Sequence, residues 1–183
     1  MSNTVWTFTN KKELDKSQFI NYVERKVFRT IRKHQMLPKS RGDIGILGSA
    51  PKNKIITLKK SQDINTLVLK KIIETKFEVK FLPSSEGTCR SATKPNISAI
   101  NSSQLAEDIF KEILDGNFKK QIPANAPLSQ LSDKEVELYA KLSNIKGTRR
   151  KQDKKIQTLF DKFLKKNQDL ELNIVKALKQ ING

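Results

Sequence analysis

The chain has 183 residues, which suits one α/β domain with a helical extension or two small lobes, and a core that needs no disulfide or metal. Its 36 Lys and Arg against 19 Asp and Glu give a formal net charge of +17, which favours a polyanionic partner, above all nucleic acid, over a merely Lys-rich composition because the charge is clustered. One cysteine and one histidine, Cys89 and His34, exclude an internal disulfide and are too few for a zinc or iron–sulfur site.

The first predicted elements are a β-prone stretch from Val5 to Phe8 and a long basic helix. Apolar residues recur at helical spacing from Phe19 to Ile31, which predicts a helix of about five turns with Ser17 as N-cap and Pro38 as its stop signal. The other side of this helix carries one basic stripe, with Lys26 beside it: Arg25, Arg29, Arg32 and Lys33. Such a stripe is often only a solvated face, but between positions 11 and 41 there are ten basic and three acidic residues, and this excess favours RNA.

The middle of the chain alternates short β-branched runs with amphipathic stretches. Residues 54–58 and 77–82 are the β runs, and residues 64–73 between them have a helical pattern, which predicts a βαβ unit with parallel strands. A third run at 96–100 precedes a helix from Ser102 to Leu114 that stops at Gly116. The predicted fold class is therefore α/β, a small parallel sheet flanked by helices.

The last third of the chain is predicted to be helical. Ser132 and Glu135 form a capping box before one helix, and two more amphipathic helices follow a break at residues 146–151. These patterns divide the chain into an N-terminal segment with the basic helix (1–37), an α/β core (38–120) and a C-terminal helical region (121–183). No apolar run has the length of a membrane span and the N-terminus has no signal-peptide pattern, so we expect a cytoplasmic protein without a membrane partner.

No conventional active site can be assembled from the sequence. Parallel sheets carry their functional loops at the carboxyl ends of the strands, yet residues 59–65 (KKSQDIN) contain no glycine to let the backbone approach a phosphate. Lys59 and Lys60 can attract phosphate as point charges, although a solvated pair is the commoner interpretation. The glycines at 42–48 follow no predicted strand, and Cys89 has no base nearby, so it is better explained as an inert thiol. We therefore predict no catalytic residue, no metal and no cofactor.

Several segments, read in order, resemble one enzyme family. Residues 19–33 look like the helix before its PP-loop strand, and residues 99–117 are similar to its GHNLDDEAQ helix. Pro127, Leu128 and residues 134–140 (KEVELYA) resemble its KPL and EKEVALYA elements, and residues 173–178 resemble its final helix. The family is the archaeal and eukaryotic cytosolic tRNA 2-thiouridine synthetases, the TtuA-like group of the PP-loop ATP pyrophosphatase superfamily. The resemblance implies a PP-loop, HUP-like core.

The sequence differs from that family at the motifs on which the family's catalysis depends. Residues 60–65 (KSQDIN) stand where the family has SGGxDS, and Ser103 and Gln104 stand where it has paired aspartates. The family's CxxC zinc motifs and cluster cysteines are absent, Cys89 being at best a remnant. The resemblance therefore implies a degenerate scaffold that retains RNA binding without adenylation or sulfur transfer.

The predicted function is a non-catalytic binder of tRNA or other structured RNA, and by family analogy a possible partner subunit of an active thiolase. A structural component of a ribonucleoprotein such as the ribosome is the alternative, and an active ATP-dependent tRNA sulfurtransferase has the lowest weight. The predicted RNA contacts are Arg25, Lys26, Arg29, Arg32, Lys33, Lys59, Lys60, Arg149, Arg150 and Lys151.

Overall fold

The computed structural model describes residues 4–36, 55–82, 97–116, 125–150, 154–167 and 169–181. The predictions made for the glycines at 42–48, Cys89 and Lys151 lie outside these residues. Within them the elements are, in chain order, β1 (Trp6–Thr7), β2 (Glu13–Leu14), α1 (Lys16–Lys33), β3 (Ile55–Lys59), α2 (Ile64–Glu74), β4 (Glu78–Leu82), α3 (Ser102–Leu114), α4 (Asp133–Leu142), α5 (Lys154–Lys166) and α6 (Leu170–Ile181).

The basic helix α1 begins earlier and ends earlier than the sequence predicts. Asp15, not Ser17, is the N-cap: its carboxylate accepts from the Gln18 N–H at 2.8 Å while the Gln18 side chain accepts from the Asp15 N–H. The helix ends at Lys33, because Gln35 adopts a positive φ of 47° and the Met36 N–H donates back to the Ile31 carbonyl. The stop is therefore a local backbone cap and does not depend on Pro38.

The N-terminal hairpin packs against α1. β1 pairs antiparallel with β2, and Lys11, with a φ of 62°, lies in the turn between them. The ring centroid of Trp6 lies 5.4 Å from that of Phe19 in the first turn of α1. The β-prone stretch at the N-terminus thus covers one end of the basic helix.

The predicted βαβ unit is confirmed. β3 and β4 pair in parallel, with Ile56 opposite Val79, and α2 connects them. The third strand predicted at 96–100 is wrong for the described residues 97–100, which form no strand. Their backbone turns to a neighbouring loop, since the Ser98 N–H donates to the Asn125 carbonyl at 2.8 Å, and the buried Ile97 is a core residue. Over the ranges given above, the protein is thus an α/β fold with a two-stranded parallel sheet and flanking helices.

The helices form two apolar clusters. The larger joins α1, the sheet, α2 and α4, and it contains residues from all three predicted segments, such as Val23, Ile72 and Leu128. The division of the chain at 37 and 120 is left as a prediction. The smaller cluster lies where α3 contacts α5 and α6, around Ala106 and Ile156. None of the helices in the described ranges has the length and apolar composition needed to cross a bilayer.

Candidate functional site

The predicted basic stripe lies on the exposed side of α1. Arg25, Arg29, Arg32 and Lys33, hereafter the α1 stripe, are all exposed, while Val23, Val27 and Ile31 face the core. Within the part of the chain that the structure describes, no carboxylate lies in ion-pair distance of these four side chains. Their positive charges are therefore not neutralised by carboxylates of the described residues.

Lys26, predicted to act with this stripe, turns toward α4. Its ammonium lies 2.9 Å from Glu135 Oε1 and 2.7 Å from the Tyr22 hydroxyl, which itself donates to Glu135 at 2.9 Å. Burial, followed by the neighbouring Glu135 carboxylate, raises the pKa of Tyr22 above its ordinary value, so the hydroxyl remains a donor. These contacts hold α1 against α4. An RNA contact by Lys26 stays a prediction.

The loop after β3 is closed by a distant segment. The Thr148 N–H donates to the Gln62 carbonyl at 2.8 Å, and the Ile64 N–H donates to the Thr148 carbonyl at 3.0 Å, so Asp63 and Thr148 form a parallel bridge. We call residues 147–150 the clasp. Lys59 and Lys60 are exposed at the start of the same loop. The clasp therefore forms hydrogen bonds with the backbone of this loop, including the Ile64 N–H, which a phosphate-binding loop would leave free for the phosphate.

Gly147 allows the clasp to approach this closely. A Cβ at this position would lie 2.8 Å from Leu67 Cδ1 and 2.9 Å from the Gln62 carbonyl oxygen, both closer than van der Waals contact permits. Sequence reasoning treated residues 146–151 as a break between helices. The glycine was a signal of a close backbone approach, but nothing near it in the sequence identifies the segment that it approaches.

Arg150 is the buried end of the clasp. Its side chain is only 17% exposed and forms a two-pronged contact with Asp133, with Nη2 at 2.9 Å and Nε at 3.2 Å from Oδ2, and a further contact with Glu107. Burial lowers the pKa of Arg150, but the hydrogen bonds and charges of these carboxylates outweigh it and raise the pKa overall. Arg149, in contrast, is 74% exposed and pairs with Glu137 at the surface.

Ser103, which stands where the resemblance in the sequence would place an aspartate, links α3 to two other helices. Its hydroxyl donates to Glu171 at 2.8 Å and accepts from the Asp133 N–H at 2.8 Å. Burial raises the pKa of Glu171, and the nearby Asp133 charge adds to this, although the Ser103 hydrogen bond lowers it. Ser103 thus serves as a structural link between α3, α4 and α6.

A cleft of about 90 Å³ opens between α2, α4 and the clasp. It is lined by Asp63, Ile64, Asn65, Asp133, Glu137, Arg149 and Arg150. Burial raises the pKa of Asp63, an effect opposed by the nearby backbone N–H groups of Thr66 and Asn65. Three or more potential metal ligands do not come together anywhere in the described ranges.

Asn65 is a cleft residue that the sequence reasoning passed over. It lies on the side of α2 that carries Val68, Leu69 and Ile72, at steps of three, four and seven residues. A carboxamide at that spacing on an otherwise apolar side was the available signal.

Neither a family model nor a curated protein matches the sequence. Among solved structures, the chain is similar to the U34-tRNA thiolase NcsA from Methanococcus maripaludis, determined with its [4Fe-4S] cluster. The TM-score is 0.67 with 12% sequence identity, over 97% of this chain and 84% of that chain. Since folds persist where sequences have diverged this far but functions often do not, the likeness establishes the architecture alone. The chain therefore has the fold of a tRNA thiolase, as the resemblance in its sequence predicts.

Proposed function

We propose that the chain is a non-catalytic RNA-binding protein that uses a tRNA-thiolase fold to hold structured RNA by its phosphate backbone. The observation that carries this proposal is the α1 stripe, four exposed cations without an ion-pair partner in the described residues, on a chain of net charge +17. RNA affinity depends on many distributed contacts between Lys or Arg and phosphates, so it survives the loss of a catalytic motif.

The closed loop after β3 supports the non-catalytic half of the proposal. A loop that binds a nucleotide phosphate presents free N–H groups, usually next to glycines. Residues 59–65 contain no glycine, the Ile64 N–H is bonded to the clasp, and the Asp63 N–H donates to Ser61 Oγ at 3.1 Å. The adjacent cleft is lined by Asp63, Asp133 and Glu137 as well as two arginines, and because Arg150 and Arg149 already pair with Asp133 and Glu137, the lining offers a triphosphate no surplus of positive charge.

We further propose that the RNA is tRNA, because the similar solved structure is described as a U34-tRNA thiolase. The heterodimer with an active thiolase is still a prediction. A ribonucleoprotein component, the alternative function, would use the same cations but would sediment with ribosomal subunits and bind free tRNA weakly.

The experiment compares two triple variants with the same change in charge. Arg25→Ala, Arg29→Ala and Arg32→Ala together remove three charges from the α1 stripe, and the control removes Lys162, Lys165 and Lys166, three exposed cations of α5. The affinity for a tRNA transcript is measured across a series of salt concentrations. We expect the stripe variant to reduce the slope of log affinity against log salt by about 3, one for each lost phosphate contact, and the control to change it by less than about 1.

Equal effects of the two variants would contradict a localised interface, and affinity that is absent or insensitive to salt would contradict RNA binding. The non-catalytic half has its own test, in which the wild-type protein is incubated with ATP, Mg²⁺ and tRNA. We expect no pyrophosphate release, and release above that of a heat-denatured control would overturn this half.

A further inference from the structure

Lys76 is an exposed lysine that is held at both of its ends at the corner between α2 and β4. Its ammonium lies 4.2 Å from the ring centroid of Phe28 on α1. Its backbone N–H donates to the Ile73 carbonyl at 2.9 Å, which continues the hydrogen bonding of the last turn of α2. Because backbone and ammonium are both held, this side chain has less conformational freedom to lose on binding an anion than an ordinary surface lysine.

The charge of Lys76 differs from that of two other lysines that lie over aromatic rings. Lys26, over a tyrosine ring, pairs with Glu135 at 2.9 Å. Lys70, over a phenylalanine ring, pairs with Glu74 at 3.4 Å. Lys76 forms no ion pair with any carboxylate of the described ranges. Its charge therefore remains available to an anion from outside.

The carboxylates nearest to this corner have partners of their own. Glu78, two residues after Lys76, lies 3.7 Å from Lys80. Glu24, one turn before Phe28 on α1, accepts from the Tyr139 hydroxyl at 3.0 Å. An anion that approaches the corner thus meets a positioned ammonium beside carboxylates whose charge or lone pairs are already engaged.

Phe28 sets Lys76 beside the α1 stripe. Arg25 lies three residues before Phe28 and Arg32 four residues after it, so the Cβ atoms of both are about 5–6 Å from that of Phe28 on the same side of the helix. Phe28 itself is 9% exposed and lies at the border between the stripe and the core. The ammonium over its ring therefore adds a cation from a second element along the edge of the stripe.

We propose that the RNA-binding surface of the α1 stripe continues onto the corner between α2 and β4, where Lys76 contacts a backbone phosphate and Phe28 positions its ammonium for that contact. The inference rests on the proposed RNA-binding function and deepens it, because it assigns a binding residue and a positioning residue outside the predicted RNA contacts. A lysine ammonium is a compact point charge with three donors, which suits a phosphate oxygen.

The first test removes the charge and keeps the packing. Lys76→Met retains an unbranched side chain that can still cover the Phe28 ring, so thermal unfolding should match that of wild type. Its affinity for a tRNA transcript is measured across a series of salt concentrations. We expect the slope of log affinity against log salt to fall by about 1, the value for one lost phosphate contact. The matched control is Lys176→Met, which removes the same charge from an exposed position of α6 and should leave the slope unchanged.

The second test removes the ring and keeps every charge. Phe28→Leu should weaken binding about two- to fivefold without changing the salt slope, because the ammonium is still present but no longer held. In the Lys76→Met background the same substitution should have no effect on affinity. If Phe28→Leu weakens binding equally in both backgrounds, the ring acts only through the packing of α1, and its positioning role is overturned.

The two proposals fail in different ways. If the wild-type protein binds the transcript with a steep salt dependence and Lys76→Met keeps the wild-type slope, or loses no more than Lys176→Met does, the inference is overturned and RNA binding stands. If the wild-type protein shows no salt-dependent binding, the proposed function and the inference that rests on it are both overturned.

Discussion

The α1 stripe and the clasp use the same residue type in opposite ways. Arg25, Arg29 and Arg32 are exposed on one helix side without a carboxylate partner in the described residues, whereas Arg150 is surrounded by Asp133 and Glu107. The first arrangement produces a field that reaches into solvent, and the second neutralises charges inside the protein. The comparison teaches that the position of carboxylates, more than the number of basic residues, decides which cations of a basic protein can serve a partner.

The largest expected effect comes from removing the buried cation. Arg150→Met leaves Glu107, whose side chain is 8% exposed, and Asp133 without their common partner. We expect the free energy of unfolding to fall by about 2–4 kcal/mol, somewhat less than for a fully buried pair because Arg150 keeps some contact with water. Urea unfolding of the variant and of wild type measures this difference.

The control is the neighbouring arginine. Arg149→Met removes a side chain that is 74% exposed, and it should change stability by less than about 0.5 kcal/mol. A similar loss in both variants would break the distinction between buried and exposed cations. Adding Glu107→Gln to Arg150→Met should restore part of the lost stability, because Asp133 and Glu107 then no longer place two negative charges around the site that the guanidinium has left.

A smaller effect is expected from separating the clasp from the loop. Gly147→Ala adds a Cβ that would lie 2.9 Å from the Gln62 carbonyl oxygen, and because that atom belongs to the backbone, the clasp itself must shift. We expect a loss of about 1–3 kcal/mol in unfolding free energy. Hydrogen exchange of the Ile64 and Thr148 amides, both donors across the contact, should accelerate.

Gly116→Ala is the matched control for this variant. Gly116 has a φ of +67° at the end of α3, and nothing lies within 4 Å of an added Cβ. It should cost about 1 kcal/mol through backbone strain alone, without faster exchange at Ile64 or Thr148. If the exchange of those two amides is the same in Gly147→Ala as in wild type, the tight approach of the clasp is not required.

The smallest effect concerns the carboxyl group that the clasp covers. Burial raises the pKa of Asp63, so the folded protein favours the protonated form and loses stability as the pH rises through the interval between the unfolded and folded pKa. Asp63→Asn should remove this loss, with a gain below about 1 kcal/mol at neutral pH because the carboxyl is partly solvated. Unfolding free energies measured from about pH 4 to pH 7 test the sign.

Asp15→Asn is the control, because the pKa of Asp15 is shifted in the opposite direction to that of Asp63. The backbone N–H of Gln18 lowers the pKa of Asp15, so its ionised form contributes stability that is lost as the pH falls through the folded pKa. The Asp15 variant should therefore be less stable than wild type at neutral pH and equal to it in acid. An Asp63 variant that behaves in the same direction would contradict a raised pKa of Asp63.

Local signals made several elements predictable from the sequence. α3 runs from Ser102 to Leu114 as expected, because apolar spacing defines its body and Gly116 supplies the positive φ at its end. The capping box of Ser132 and Glu135 is also confirmed, with both reciprocal hydrogen bonds formed. Such features involve residues three or four positions apart, so a short stretch of sequence contains all the information.

Features that depend on distant residues were not predictable in the same way. Thr148 and Gln62 are 86 positions apart in the hydrogen bond that closes the clasp, and no local pattern encodes this pairing. Residues 97–100 looked like a strand because composition does not reveal that Ser98 bonds to Asn125. Lys26 and Arg150 were grouped with exposed cations because charge counts do not include burial.

The N-terminal hairpin gives the molecule an optical reporter of its own. Trp6 is the only tryptophan of the chain, and it packs on Phe19 of the helix that carries the α1 stripe. Its indole Nε1 is buried without a hydrogen bond in the described part of the chain. Intrinsic tryptophan fluorescence therefore reports on a single site beside the basic helix. A movement of the hairpin away from that helix would change the surroundings of the indole and shift the emission wavelength, so no attached dye is needed.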